Sequence, residues 1–369
     1  MLYYLFDYLH RVFDIPGLGA FRYITTRSAA AAVTSLILTF YFGPKVIRWL
    51  KKNQIGEAKK EEAPTTHHSK AGTPTMGGII VISSIVIPVV LWADVLSIFI
   101  ILILIATLWL FGVGLLDDYL KVVKKLRKGL IERYKLILQF TIGLIIGIGV
   151  YLAPEYAGIN TETTLPFFKD LNFDFSHLYI PVVIFIIMAT SNAVNLTDGL
   201  DGLSAGTIAI AMLTLALFSY VTGNAIYSDY LNIVYIPGTG ELTIFCAAAV
   251  GATLGFLWFN SYPAQIFMGD TGSLALGGAL GTLSVLVKKE LLLPILGGIF
   301  FAETVSVLIQ RFYFKYTRKK YGEGRRVFKM APLHHHFELL NWSEPKIVVR
   351  FYIIAIILAI ISLTTFKIR

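Results

Sequence analysis

Val95–Tyr119 reads VLSIFIILILIATLWLFGVGLLDDY. The run from Val95 to Leu116 carries no charge, and at about 1.5 Å per helical residue it can cross a hydrocarbon core of about 30 Å. Two carboxylates, Asp117 and Asp118, follow at once, and then a basic run from Lys121 to Lys135. Carboxylates at a bilayer edge are costly unless they meet a metal, a cation or a proton. A carboxylate pair beside Lys and Arg is what a metal-dependent reaction on phosphates requires. The plainer alternative is a solvated helix end. Helical neighbours point about 100° apart, so Asp117 and Asp118 face different partners, and a division into ligand and base fits better than joint chelation.

Similar apolar runs recur along the 369 residues, which are 56% hydrophobic with a mean hydropathy of +0.70. A soluble domain is nearer about 45–50% apolar. The pattern predicts an all-α polytopic membrane protein forming one integral membrane domain over residues 1–369. Its ten spans fall near residues 28–48, 77–92, 95–116, 136–152, 178–194, 202–221, 241–258, 273–287, 291–314 and 347–366. Pro88 fits inside its span only if a neighbouring helix satisfies the freed carbonyl. The loops 48–76, 117–135, 195–201, 259–272 and 311–350 hold roughly 23 of the 32 Lys and Arg residues, which places them in the cytoplasm and both termini outside. The net charge of +9 therefore reads as membrane orientation, and nucleic acid is not expected as a partner. Cys246 is the one cysteine, so neither a disulfide within the chain nor a cysteine metal site is expected. Met1–Ala20 lacks a cleavable signal pattern and reads as an amphipathic segment at the interface. Among the outer loops, Thr161–Phe175 alternates as a small hairpin would, and Gly223–Gly240 reads as a polar loop.

Nearly every unusual polar residue lies in an inner loop. The first holds His67, His68 and Lys70, followed by Gly72-Thr-Pro-Thr75-Met-Gly77-Gly78, glycines that let the backbone approach a ligand closely. The third, Asn195-Leu-Thr-Asp198-Gly-Leu-Asp201-Gly, has two carboxylates and no basic residue. Its amide and acids suit hydrogen bonds to a nucleotide, although Asp201 could instead cap the next helix. The fourth, Phe267-Met-Gly-Asp270-Thr-Gly-Ser273, opens a span, and a helix start with its unpaired N–H groups suits phosphate. Asp270 either caps that helix or holds a Mg²⁺ that bridges to phosphate. Phe267 is placed to stack on a base or to sit at the interface. The fifth ends in Pro332-Leu-His334-His335-His336-Phe-Glu338, whose spacing does not suit zinc and better suits holding phosphate or a polar substrate. Gln310 lies at the inner end of the preceding span, on the face that carries Glu303.

These four motifs and Leu115-Leu-Asp117-Asp118-Tyr119, five in all, resemble those of the polyprenyl-phosphate N-acetylhexosamine-1-phosphate transferase superfamily over essentially the whole chain. The resemblance implies transfer of a phospho-sugar from a UDP donor to a polyprenyl phosphate, with Mg²⁺ as cofactor, at the cytoplasmic face of a bacterial inner membrane. The triple histidine and the Lys70 loop resemble the members whose donor is UDP-N-acetylmuramoyl-pentapeptide and whose acceptor is undecaprenyl phosphate, and these imply a homodimer. By the same resemblance Asp270 binds Mg²⁺, and Asp117, Asp118, Asp270 and His334 are catalytic. Lys70, Thr75, Asn195, Asp198, Asp201 and Phe267 match the nucleoside side of the pocket, and Gln310, His335 and His336 the sugar-peptide side. A UDP-N-acetylglucosamine donor is the competing expectation within the superfamily. A transporter or flippase is the competing class, but it would carry charges at mid-membrane, where only Glu303 falls.

Overall fold

The computed structural model describes residues 1–53, 72–126 and 129–367. Lys70, His67 and His68 lie outside the described residues, as do Arg127 and Lys128. The chain is built of helices α1 (Leu2–Phe13), α2 (Ile24–Lys52), α3 (Gly78–Trp92), α4 (Ile98–Asp118), α5 (Glu132–Leu152), α6 (Tyr179–Thr197), α7 (Leu203–Thr222), α8 (Ala225–Leu231), α9 (Leu242–Asn260), α10 (Gly269–Leu286), α11 (Leu293–Leu296), α12 (Gly298–Tyr321), α13 (Leu333–Glu338) and α14 (Glu344–Thr364).

Among the described residues seven helices are long and apolar enough to cross a membrane: α2, α4, α5, α6, α7, α9 and α14. Each of the ten expected spans contains a helix, but three depart from a simple crossing. α3 has only 15 residues. The expected span 291–314 is broken: α11 and α12 meet at an 83° bend. Pro294 opens α11 and Gly297-Gly298 closes it, a start and a stop within one apolar run. α10 is long enough but is not among the seven, because Asp270 and its many Gly, Ser and Thr residues make it less apolar. It is buried from Thr271 to Leu286 and packs against α3, α4, α6 and α7. Its small residues, Gly277, Gly278 and Gly281 among them, let those neighbours come close, which is how helices pack without a hydrophobic drive between them.

Pro88 is buried inside α3, and the carbonyl it frees is that of Ser84. The Ser35 hydroxyl of α2 lies 2.6 Å from that oxygen and 2.7 Å from the carbonyl of Ala248. At the C-terminal end of α3, Arg27 is buried and donates to Trp92 O and to both carboxylate oxygens of Glu241, the latter at 2.8 and 2.6 Å. The hairpin expected in 161–175 is present as β1 (Glu162–Leu165) and β2 (Phe168–Asp174), antiparallel with Glu162 opposite Asp174 and a register shift at Thr164/Leu165. It is moored by Thr163, whose hydroxyl donates to Glu290, beside a buried Lys288 that donates to Asn160 O and Tyr179 Oη. The loop 223–240 contains α8, capped by the Asn224 side chain.

Candidate active site

The end of α4 meets the start of α10. Asp118, 5% exposed, accepts from the backbone N–H of Asp270 (3.2 Å) and Thr271 (2.9 Å) and from the Thr271 hydroxyl (2.6 Å). The last residue of one helix thus satisfies the free N–H groups that begin another, where a negative charge also meets the positive end of the helix dipole. Asp117 points elsewhere, as the helical angle requires. It accepts from the backbone N–H of Leu130 (2.8 Å) and from Lys121 Nζ (3.0 Å) and Lys135 Nζ (3.3 Å).

The same two ammonium groups reach Asp270. Lys121 Nζ lies 2.8 Å and Lys135 Nζ 3.1 Å from Asp270 Oδ2. Asp270 Oδ1 accepts from Asn195 Nδ2 at 2.6 Å, and that amide also reaches Ser273 Oγ at 2.9 Å. Two carboxylates from α4 and α10 therefore face one point between two lysines, with an amide from α6 closing the side. Lys121 sits one turn beyond Asp117, and Lys135 lies in the first turn of α5, one turn before Gln139. Gln139 is itself buried and bonded to Ser191 and Asn192 of α6.

Close backbone contact makes this meeting possible. A Cβ on Gly114 would come 2.1 Å from the Asp270 carbonyl oxygen, and one on Gly78 would come 2.1 Å from Gly272 N. The Gly77-Gly78 pair was expected to let the chain approach a ligand; in the structure its close neighbours are Phe267 and Gly272 of the protein itself. Phe267 N donates to Pro74 O, Gly77 N to Phe267 O and Gly78 N to Met268 O, so the first and fourth inner loops are stitched into one wall. Thr75 is buried in that wall, its hydroxyl beside Gly269, and the Phe267 ring is half-buried.

The remaining expected residues divide. Asp198 ends α6 and is half-buried, one turn from Asn195. Asp201 is buried, and its carboxylate accepts from Ala264 N (3.0 Å), tying the third loop to the fourth; the cap position of α7 is Gly202. Gln310 spends its amide on the fifth loop, accepting from Val327 N and Phe328 N and donating to Phe328 O. The three histidines have three different partners. His334 is 1% exposed and pairs with Glu303, His335 pairs with Glu338 (2.7 Å), and His336 accepts from Lys329 N. His334 was expected among the catalytic groups; among the described residues it shares no hydrogen bond or ion pair with Asp117, Asp118 or Asp270, and its ring Nδ1 faces Glu303.

Residues 100–288 match the model of glycosyl transferase family 4, and residues 70–82 match that of phospho-N-acetylmuramoyl-pentapeptide-transferase signature 1. The phospho-N-acetylmuramoyl-pentapeptide-transferases of Chloroherpeton thalassium and Chlorobium luteolum are 54% and 53% identical to this chain, each over the full length of both sequences. That of Pelodictyon phaeoclathratiforme is 53% identical over the same extent. The chain belongs to the phospho-N-acetylmuramoyl-pentapeptide-transferase family. It is a membrane enzyme of the glycosyl-1-phosphate transferase type, as the inner-loop motifs led us to expect.

Within this family member the matched signature covers the end of the first inner loop and the start of α3, and the glycosyl transferase match runs from α4 through the end of α10, so it spans Asp117, Asp118, Asn195 and Asp270. Sequence reading passed over Lys135, which looked like one charge in a run that orientation explains. Its signal was Gln139 one turn on, a polar residue on an apolar helix. Among the described residues no group of three or more His, Cys, Asp or Glu side chains is placed to hold a metal ion. Mg²⁺ asks for less than that, one or two carboxylates with water and substrate phosphate completing its shell. Asp117 Oδ2 and Asp270 Oδ2, gathered on the same two cations, fit that demand.

Proposed function

We propose that this enzyme transfers phospho-N-acetylmuramoyl-pentapeptide from its UDP donor to undecaprenyl phosphate, releasing UMP and forming lipid I at the cytoplasmic face of a bacterial inner membrane. The observation that carries this reading is the sharing of Lys121 and Lys135 between Asp117 and Asp270 where α4 ends and α10 begins. The acceptor is a lipid phosphate and the donor a soluble nucleotide, so only a site at the membrane edge meets both. The reading includes ten crossings, both termini outside, a single domain and a homodimer in the membrane; the distribution of Lys and Arg supports the orientation.

In the reaction an oxygen of the lipid phosphate attacks the sugar-bearing phosphorus in line, and the bond to UMP breaks. Several negative charges must come together, and positioning with electrostatic stabilisation supplies most of the catalysis. Lys121 and Lys135 offset that charge. Asp270 and Asp117 would hold Mg²⁺, which when bound neutralises the diphosphate. A phosphate with a second pKa of about 6 is already largely ionised near neutrality, so Asp117, fixed by Leu130 N, serves more to orient than to deprotonate. Thr75, Asn195, Asp198, Asp201 and Phe267 line the nucleoside side, while Gln310, His335 and His336 shape the loop on the sugar-peptide side.

The test is to offer purified protein and undecaprenyl phosphate each of two donors, UDP-N-acetylmuramoyl-pentapeptide and UDP-N-acetylglucosamine, with Mg²⁺, and to measure UMP. Release from the first donor alone is expected. Turnover of the second alone would sink the reading.

A further inference from the structure

Glu303 is a fully buried carboxylate well inside α12, and the reaction as described does not use it. Both of its oxygens are turned to a single residue. Oε1 accepts from the backbone N–H of His334 at 3.2 Å, and Oε2 faces His334 Nδ1 at 3.2 Å. A buried carboxylate in a membrane helix is costly, and packing alone would be served by an apolar side chain. An ionised carboxylate only accepts, so the ring nitrogen facing it carries the proton. That leaves His334 Nε2 as the free end of the ring. Nε2 is buried with no hydrogen-bond partner among the described residues, and it presses on the third inner loop: a Cβ on Gly199 would lie 2.2 Å from it. Gly199 stands between Asp198 and Leu200, one turn past Asn195, in the loop assigned above to the nucleotide.

We propose that Glu303 is a positioning residue of the donor site, acting through His334 on the Asp198–Asp201 turn. The carboxylate holds the ring in the Nδ1–H form and at one depth, and the ring sets the place of the Gly199 backbone. The inference rests on the proposed function for the identity of the donor, but not for the tautomer. It makes Glu303 a determinant of donor affinity with no part in the phosphoryl transfer itself.

The test uses the full chain in lipid nanodiscs with ¹⁵N-labelled histidine rings, His334→Ala identifying the His334 resonances. The wild-type ring should be protonated at Nδ1. In Glu303→Gln the side chain keeps its shape, but it has one accepting oxygen where the carboxylate has two, and the proton should move to Nε2. The KM for the UDP donor should rise about tenfold, the scale of one buried hydrogen bond, with kcat and the KM for undecaprenyl phosphate within about twofold of wild type. Gly199→Ala, which displaces the same contact from the other side, should give the same split. A wild-type ring protonated at Nε2 would overturn the proposal. So would an unchanged donor KM in both variants, or equal losses in kcat and both KM values. A wild-type enzyme that releases no UMP at all would instead sink the proposed function and leave the ring spectrum to decide the dyad.

Discussion

Gly114 of α4 lies so close to Asp270 that a Cβ at 114 would come 2.1 Å from the Asp270 carbonyl oxygen. The obstacle is backbone, which cannot rotate away as a side-chain tip can. Gly114→Ala should therefore separate α4 from the start of α10 and cost about 1–3 kcal/mol of stability. The larger effect falls on turnover, because a misplacement of about 1 Å between Asp117 and Asp270 is enough to lose on the order of 100-fold. UMP release and a thermal melt in detergent report both, and a fully active alanine variant would refute the close-approach argument.

Asp118→Asn should be inactive and less stable. Its carboxylate serves Thr271 N, Thr271 Oγ1 and Asp270 N, and an amide NH₂ in that place would face at least one of those donors. A buried donor left unmatched costs about 1–3 kcal/mol. Ser273, which bonds Gly269 O, cannot replace the cap. An asparagine variant with wild-type melting would show that the cap contributes nothing.

Lys135 and Asp117 should behave as one unit. Lys135→Met leaves Lys121 alone between two carboxylates, and Asp117→Asn removes one of those charges. The two changes combined are expected to cost less than the sum of their separate costs, with a coupling of about 0.5–3 kcal/mol in stability. Strict additivity of the melting shifts would mean that the 3.3 Å contact is not an energetic one.

Arg27→Ala tests the far end of the bundle. Arg27 is 3% exposed, binds both oxygens of Glu241 and also donates to Trp92 O. Removing one member of a buried pair strands the other and costs about 3–5 kcal/mol. Turnover per folded molecule should stay at the wild-type level, since the pair joins the ends of α2, α3 and α9 opposite the carboxylate cluster. A variant that keeps its melting temperature but loses activity would contradict this assignment.

Lys288 gives the protein a rising stability with pH. Burial pushes its ammonium down from the usual 10.5 to about 8, against the opposing pull of Glu290 and Glu162. Between about 8 and 10.5 the unfolded chain holds a proton that the folded one has released, so stability increases with pH there and the full penalty remains below 8. Lys288→Met should flatten the melting temperature against pH over pH 8–9.5 relative to wild type. Parallel curves for the two proteins would remove Lys288 as the cause.

What could be read from the sequence was what the bilayer dictates. In hydrocarbon each backbone polar group must be satisfied within its own segment, so an apolar run of sufficient length becomes a helix whatever its neighbours do. Hence a helix stands in every expected span, and the polar motifs between them stood out as a set. The tertiary structure alone decided which side chains meet. Asp117 and Asp270 share two lysines because Gly78 and Gly114 let α3 and α4 touch the start of α10. Gln310 turned out to hold its own loop, and Glu303 found His334 on a segment that returns from outside the span. Such pairings depend on distances of a few ångströms between residues far apart in the chain, and local composition fixes none of them.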